Sequence, residues 1–101
     1  MNDQEESPTL RIVLSSAYKR DLKRLSKALR DISPLEDVVR KLARFESLDV
    51  RHRDHALKGR MTGLRVCHIR PDWLLVYRKE LDTLILVLIR TGTHRDTLGM
   101  E

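Results

Sequence analysis

Leu64-Arg-Val-Cys-His-Ile69, Arg70-Pro71-Asp72, Trp73-Leu-Leu-Val-Tyr77 and then Thr83-Leu-Ile-Leu-Val-Leu-Ile-Arg90 form the stretch whose reading decides the fold. Branched and aromatic side chains dominate each run and turn residues separate them, the pattern of successive strands in a meander. Proline presets φ and aspartate bonds its own backbone, so Pro71-Asp72 marks a tight hairpin, with a second turn near Glu80 to Asp82. The last run is apolar at every position from Leu84 to Ile89, which predicts a central strand buried on both faces.

Upstream, Leu10-Arg-Ile-Val-Leu14 reads as a short strand. Ser15 or Ser16 can cap a helix in which Tyr18, Leu22, Leu25, Leu29 and Ile32 share one stripe. The opposite face carries Lys19, Arg20, Lys23, Arg24, Lys27 and Arg30 against only Asp21 and Asp31. Such a face is either simply solvated or able to grip phosphates or an acidic partner. Ser33-Pro34-Leu35-Glu36 has the layout of a capping box with proline in the first turn. The second helix then buries Leu35, Val38, Val39, Leu42 and Phe45 and runs to about Leu48. Two helices so closely joined predict an antiparallel hairpin on a common sheet. Residues 49 to 63 lose all periodicity and read as a basic loop. The expected fold is therefore α+β: a flexible tail over 1 to 9, then one compact domain over 10 to 101. Its order is strand, helix, helix, strand, strand, strand, with the helical hairpin packed on a twisted, mainly antiparallel sheet.

Composition sets the outer bounds. At 101 residues and 41% apolar content there is material for one core. The formal charge is +5 and the pI about 9.8, which favours anionic partners. The longest apolar run falls far short of the roughly 20 residues that span a bilayer. The acidic start Met1-Asn-Asp-Gln-Glu-Glu-Ser-Pro8 is unlike a secretory signal, so a cytoplasmic protein is expected. A single cysteine, Cys67, excludes an internal disulfide and reads as a small buried hydrophobe.

Histidine titrates near neutral pH and can move a proton in either direction. If the meander is antiparallel, the end of one strand, the start of the next and the end of the last converge. His68, Asp72, Trp73 and His94 then lie at one end of the sheet, with the 49 to 63 loop able to cover them. Each also has a plainer reading: a packed histidine, a turn aspartate, a core tryptophan. His52-x-x-His55 is a weak metal signal without cysteines nearby, and neither G-x-G-x-x-G nor G-x-x-x-x-G-K-[ST] occurs. Phosphate would be held by side chains. Basic surface, histidines and one acid suffice to cleave RNA. A base takes the proton of a 2′-hydroxyl, cations offset phosphoryl charge and an acid protonates the leaving 5′-oxygen. An aromatic ring can stack on the splayed base.

Three segments in register extend this reading: Asp54-His55-Ala-Leu-Lys58-Gly59, then His68-Ile-Arg-Pro71-Asp72-Trp73, then Arg90-Thr-Gly-Thr-His94. With Tyr18-Lys-Arg-Asp21-Leu-Lys and Leu98-Gly99, the chain resembles the RelE/YafQ family of toxin endoribonucleases over residues 10 to 99. The resemblance implies a RelE-like domain that cuts messenger RNA in the ribosomal A site without metal or small-molecule cofactor. It also implies a cognate antitoxin, which charge balance suggests is acidic. The matching catalytic positions are His55, His68, Asp72 and His94, with base and acid unassigned. Trp73, Arg65, Arg90, Lys58 and Leu98 are the matching RNA-facing set, Arg65 and Arg90 reading equally as phosphate contacts or structural ion pairs. Leu98 stands where the family usually has an aromatic ring, and His52 falls outside the pattern as a solvated loop residue. The alternative is a catalytically silent RNA-binding or protein-interaction module on the same fold.

Overall fold

Five strands form one sheet in the order β1-β5-β4-β3-β2. They are β1 (Arg11–Leu14), β2 (His55–Ala56), β3 (Arg65–Arg70), β4 (Trp73–Glu80) and β5 (Ile85–Gly92). β1 runs parallel to β5 and every other pair is antiparallel. Helices α1 (Ser16–Lys27) and α2 (Ser33–Ala43) carry the chain from one edge of the sheet across its face to the other. The computed structural model describes residues 9–28 and 31–99. Residues 1 to 8 of the expected tail over 1 to 9 therefore lie outside the described residues, as do Leu29 and Arg30 of the first apolar stripe and basic face.

The core lies between the helices and the sheet. Tyr18, Leu35, Val38 and Leu42 from the helices pack on Cys67, Ile69, Leu75, Tyr77, Leu86 and Leu88. Burying each large side chain contributes about 1.5–3 kcal/mol. A smaller cluster of Val66, Leu74 and Val76 occupies the other face, under Leu57, Leu64, Ile89 and Leu98. Cys67 is fully buried, and burial pushes its thiol up to about 12, so it is an inert packing residue.

Local chemistry explains most boundaries. Ser15 is the N-cap of α1: its side chain accepts from the Tyr18 N–H at 2.9 Å, while its own hydroxyl donates to Ile89 O at 2.7 Å. α1 ends at Lys27, earlier than the apolar stripe implied, and Ile32 becomes the N-cap of α2. Ser33 is not the cap. Asp31 Oδ1 instead accepts from the Ser33 N–H at 3.0 Å, while Pro34 sits in the first turn as expected. α2 stops at Ala43, and Phe45, at φ +61° and 44% exposed, leaves the buried face assigned to it. The turn after β4 falls at 81–84, so β5 begins at Ile85.

Three expectations are corrected further. The 49 to 63 loop contains the two-residue strand β2 and two single 3-10 turns, at Val50–His52 and Gly59–Met61. The segment after β5, to which the expected order assigns no element, is a short helix, α3 (His94–Leu98), capped by Thr93. β5 is an interior strand, but its second face is only half-buried at Ile85, Val87 and Ile89, because the cover on that side is small. Among the described residues no helix is long and apolar enough to cross a membrane.

Candidate active site

The register of the meander builds the site. His68 pairs with Leu74, and Leu74 pairs with Gly92, so the end of β3 lies one strand away from the end of β5. β5 then turns directly into α3, whose first residue is His94. The His68 and His94 rings come to 5.6 Å between centroids, tilted by 47°. His55 arrives from the edge, where β2 pairs it with Val66, two residues before His68.

The histidines differ electrostatically. His68 is half-buried and its Nδ1 has no hydrogen-bond partner among the described residues. Burial, and then the charges of His94, Arg53 and His55, hold its pKa below the ordinary 6.5. Near neutral pH it is therefore unprotonated. His55 is exposed, and its Nδ1 lies 2.7 Å from the Arg53 carbonyl oxygen. A carbonyl only accepts, so Nδ1 carries the proton and Nε2 is left to accept one.

The Arg90-to-His94 segment is a positioning device, residue by residue. Arg90 donates to Asp21 at 2.8 and 3.0 Å, and the Thr91 N–H reaches the same carboxylate at 3.0 Å. Burial opposes ionisation of Asp21, but those hydrogen bonds and the charges of Arg90 and Arg24 outweigh it and hold the carboxyl below 3.8. The Thr91 hydroxyl donates to Leu74 O at 2.8 Å and accepts from the Trp73 indole at 3.0 Å. Gly92 has φ +146°, a region closed to side chains, and a Cβ there would lie 3.4 Å from the Asp96 Cβ. Thr93 caps α3 by accepting from the Asp96 N–H at 3.1 Å. His94 is thereby delivered at a defined angle beside His68.

A second device fixes His55. Asp54 accepts from the buried Tyr77 hydroxyl at 2.5 Å and pairs with Arg65 at 3.3 Å. Burial, then the hydrogen bond to Asp54, push the Tyr77 hydroxyl well above the ordinary phenol range. Arg65 and Arg90, read from sequence as phosphate contacts or ion-pair residues, thus both hold buried or half-buried carboxylates. The sequence reading gives Asp54 only as the first residue of the Asp54-to-Gly59 segment and Tyr77 only as the end of a strand; the Asp-His adjacency is the signal available for their positioning role.

Asp72 and Trp73 line a neighbouring cavity of about 350 Å³ with Arg24, Asp31, Thr91 and Asp96. Trp73 is half-buried against the helix-side core, and Asp72 is exposed in the hairpin turn. Lys58 is exposed, and Leu98 packs on the Val66, Leu74 and Val76 cluster below α3. His52 corrects the sequence reading. It is only 5% exposed, and its Nδ1 lies 2.6 Å from the His68 carbonyl oxygen, tying the Val50–His52 turn to β3. Among the described residues, no group of three or more His, Cys, Asp or Glu side chains is placed to hold a metal ion.

The chain is similar to known proteins along most of its length. The family model described as "Bacterial toxin of type II toxin-antitoxin system, YafQ" matches residues 10–99. The mRNA interferase toxin YafQ of Escherichia coli (strain K12) is 34% identical over 89 residues, 87% of this chain and 95% of that protein. A metal-bound toxin from Helicobacter pylori has a similar structure, with a TM-score of 0.82 and 39% identity, covering 86% of this chain and 97% of that one. The toxin-antitoxin complex of E. coli DinJ and YafQ contains another, at TM-score 0.76 and 32% identity, covering 85% of this chain and 93% of that one. A match of the family model across β1 to α3, with relatives above 30% identity along nearly their whole length, makes this chain a member of the YafQ family of bacterial toxins.

Proposed function

We propose that the protein is an endoribonuclease toxin that cuts messenger RNA on the ribosome and is neutralised by a cognate acidic antitoxin. The observation that carries the reading is the His68–His94 pair, with a neutral His68 at one end of a sheet flanked by His55 and by cationic loops. In the proposed reaction neutral His68 takes the proton of the 2′-hydroxyl. The 2′-oxygen bonds to the adjacent phosphorus, and the bond from phosphorus to the 5′-oxygen breaks. The leaving oxygen takes a proton from a protonated His94, or from His55 carrying a proton on Nε2, giving a cyclic phosphate and a free 5′-hydroxyl.

The other sequence-derived residues take distinct parts. Asp72 and Trp73 bound the adjoining cavity, where the ring can stack on a base and the exposed carboxylate can accept a proton. Lys58 offers an exposed cation on the covering loop. Arg65 and Arg90 act as positioning residues through Asp54 and Asp21, and Leu98 supports α3. The homologous DinJ-YafQ complex supports an antitoxin partner, and the charge of +5 favours carboxylates on its contact surface.

The test is induction of this chain alone with mapping of new message ends, for wild type and His94→Ala. Growth arrest with in-frame cuts that vanish in the variant is expected. Normal growth with soluble, folded wild-type protein and no new ends would refute the nuclease and favour the silent binding module.

A further inference from the structure

Arg65 and Arg90 are committed to carboxylates, so the cations that hold a substrate strand must come from elsewhere. Behind His68 lies a cleft of about 430 Å³ lined by Arg51, His52, Arg53, His68, Arg70 and Pro71, with no carboxylate among its described lining residues. Arg51, Arg53 and Arg70 are all exposed, and none pairs with a carboxylate within 4 Å among the described residues. Arg24, Arg40, Arg44, Arg65, Arg78 and Arg90 all do.

Arg70 also lines the neighbouring cavity, where its charge acts on Asp31, and the Arg51 charge acts on Asp49, but without an ion pair within 4 Å the three guanidiniums still lower the potential energy of an anion that enters this cleft. They are also held together by built structure. Asp49 caps the 3-10 turn that carries Arg51, accepting from its N–H at 3.0 Å. His52 anchors that turn to His68 O, and Arg53 closes it in the left-handed region at φ +49°, its carbonyl receiving the His55 ring. Arg70 faces them from the last position of β3, beyond the bulge at His68 to Arg70. Arg53 is close enough for its charge to act on His68.

We propose that Arg51, Arg53 and Arg70 form a second phosphate subsite, taking a phosphodiester of the RNA strand being cut next to the one held at His68 and His94. This rests on the nuclease reading and extends it. His68 is the shared wall: it faces His94 at the scissile position and the arginine cleft behind. Guanidiniums suit the task, because their planar forks bind phosphate oxygens in pairs. An anion in the cleft also offsets the positive field on His68, so strand binding and proton transfer are coupled.

The test measures binding of a labelled, fully 2′-O-methylated RNA hexamer, which cannot be cut, across a salt series. Wild type is compared with Arg51→Gln/Arg70→Gln, two surface changes that remove the charge and keep a polar side chain, with circular dichroism confirming the fold. The variant is expected to bind about tenfold more weakly at about 0.1 M salt, with the slope of log affinity against log salt shallower by about 0.7 for one lost phosphate. Equal affinity and slope in the two proteins would overturn the subsite, as would a wild type that does not bind the hexamer. A second arm uses programmed ribosomes. Loss there with unchanged hexamer binding would assign the arginines to ribosomal RNA and overturn the assignment to the cut strand. Arginine-dependent hexamer binding by a wild type that makes no new message ends would refute the nuclease reading alone.

Discussion

Arg90 reaches Asp21 across 69 positions of sequence, its Nε 2.8 Å from a carboxylate oxygen that is almost wholly buried. This pair joins α1 to the end of β5 and fixes the strand from which His94 departs. Replacing Arg90 by Met strands the carboxylate without its main partner. A loss of about 3 kcal/mol is expected, equivalent to more than about 10 °C in a domain of this size, measured by thermal melting.

The same pair sets the acid limit of the fold. Asp21 titrates below its ordinary 3.8 in the native state, so its contribution is present above that value. It is lost as pH falls through the lower native pKa, because the native carboxylate must then take up a proton it resists. Urea denaturation midpoints are expected to drop below about pH 4 in wild type, and to drop less in Asp21→Asn.

His68 provides the pH signature of activity. With its pKa held below 6.5, the acidic limb of cleavage should lie below that value. His94→Asn removes one of the repelling charges, so the His68 ring pKa should rise towards 6.5, read by NMR titration of its Cε1 proton. An unchanged value would show that the two rings do not interact in solution.

Gly92 turns β5 into α3 at a φ of +146°. Gly92→Ala forces that backbone into a strained region and sets a methyl group against Asp96. A cost of more than about 1 kcal/mol is expected, with a larger fractional loss of cleavage than of folded protein, since His94 is displaced.

His52 separates anchoring from packing. Asn can present a side-chain N–H near the position of the histidine Nδ1, whereas Leu cannot. His52→Asn should retain RNA cleavage within about threefold, and His52→Leu should lose about tenfold or more, from the missing hydrogen bond to His68 O. Equal activity in the two variants, with matched melting temperatures, would remove His52 from the positioning of His68.

Much of this was legible in sequence because strands and helices advertise themselves by period. The meander, the Pro71-Asp72 hairpin and two helices between β1 and the later strands all appear in the expected order. β2 has two residues and α3 has five, too few for any period to register, and both were read as irregular chain. Three-residue spacing from Leu42 extends the apolar stripe to Phe45. The backbone leaves the helix at Arg44, and the stripe ends with it. His52 looked solvated amid charged neighbours, and burial came from a turn that folds it under β3.

By itself the sequence determined the types and order of the six longer elements and the arrival of His68 and His94 at one end of the sheet, since alternation and turn chemistry act over a few residues. Tertiary structure alone decided which arginines are occupied. Arg90 and Arg65 are bound to Asp21 and Asp54, while Arg51, Arg53 and Arg70 are left facing one cleft. Ion pairing depends on distance in space, falling off over a few ångströms, and no spacing along the chain encodes which carboxylate a guanidinium will meet.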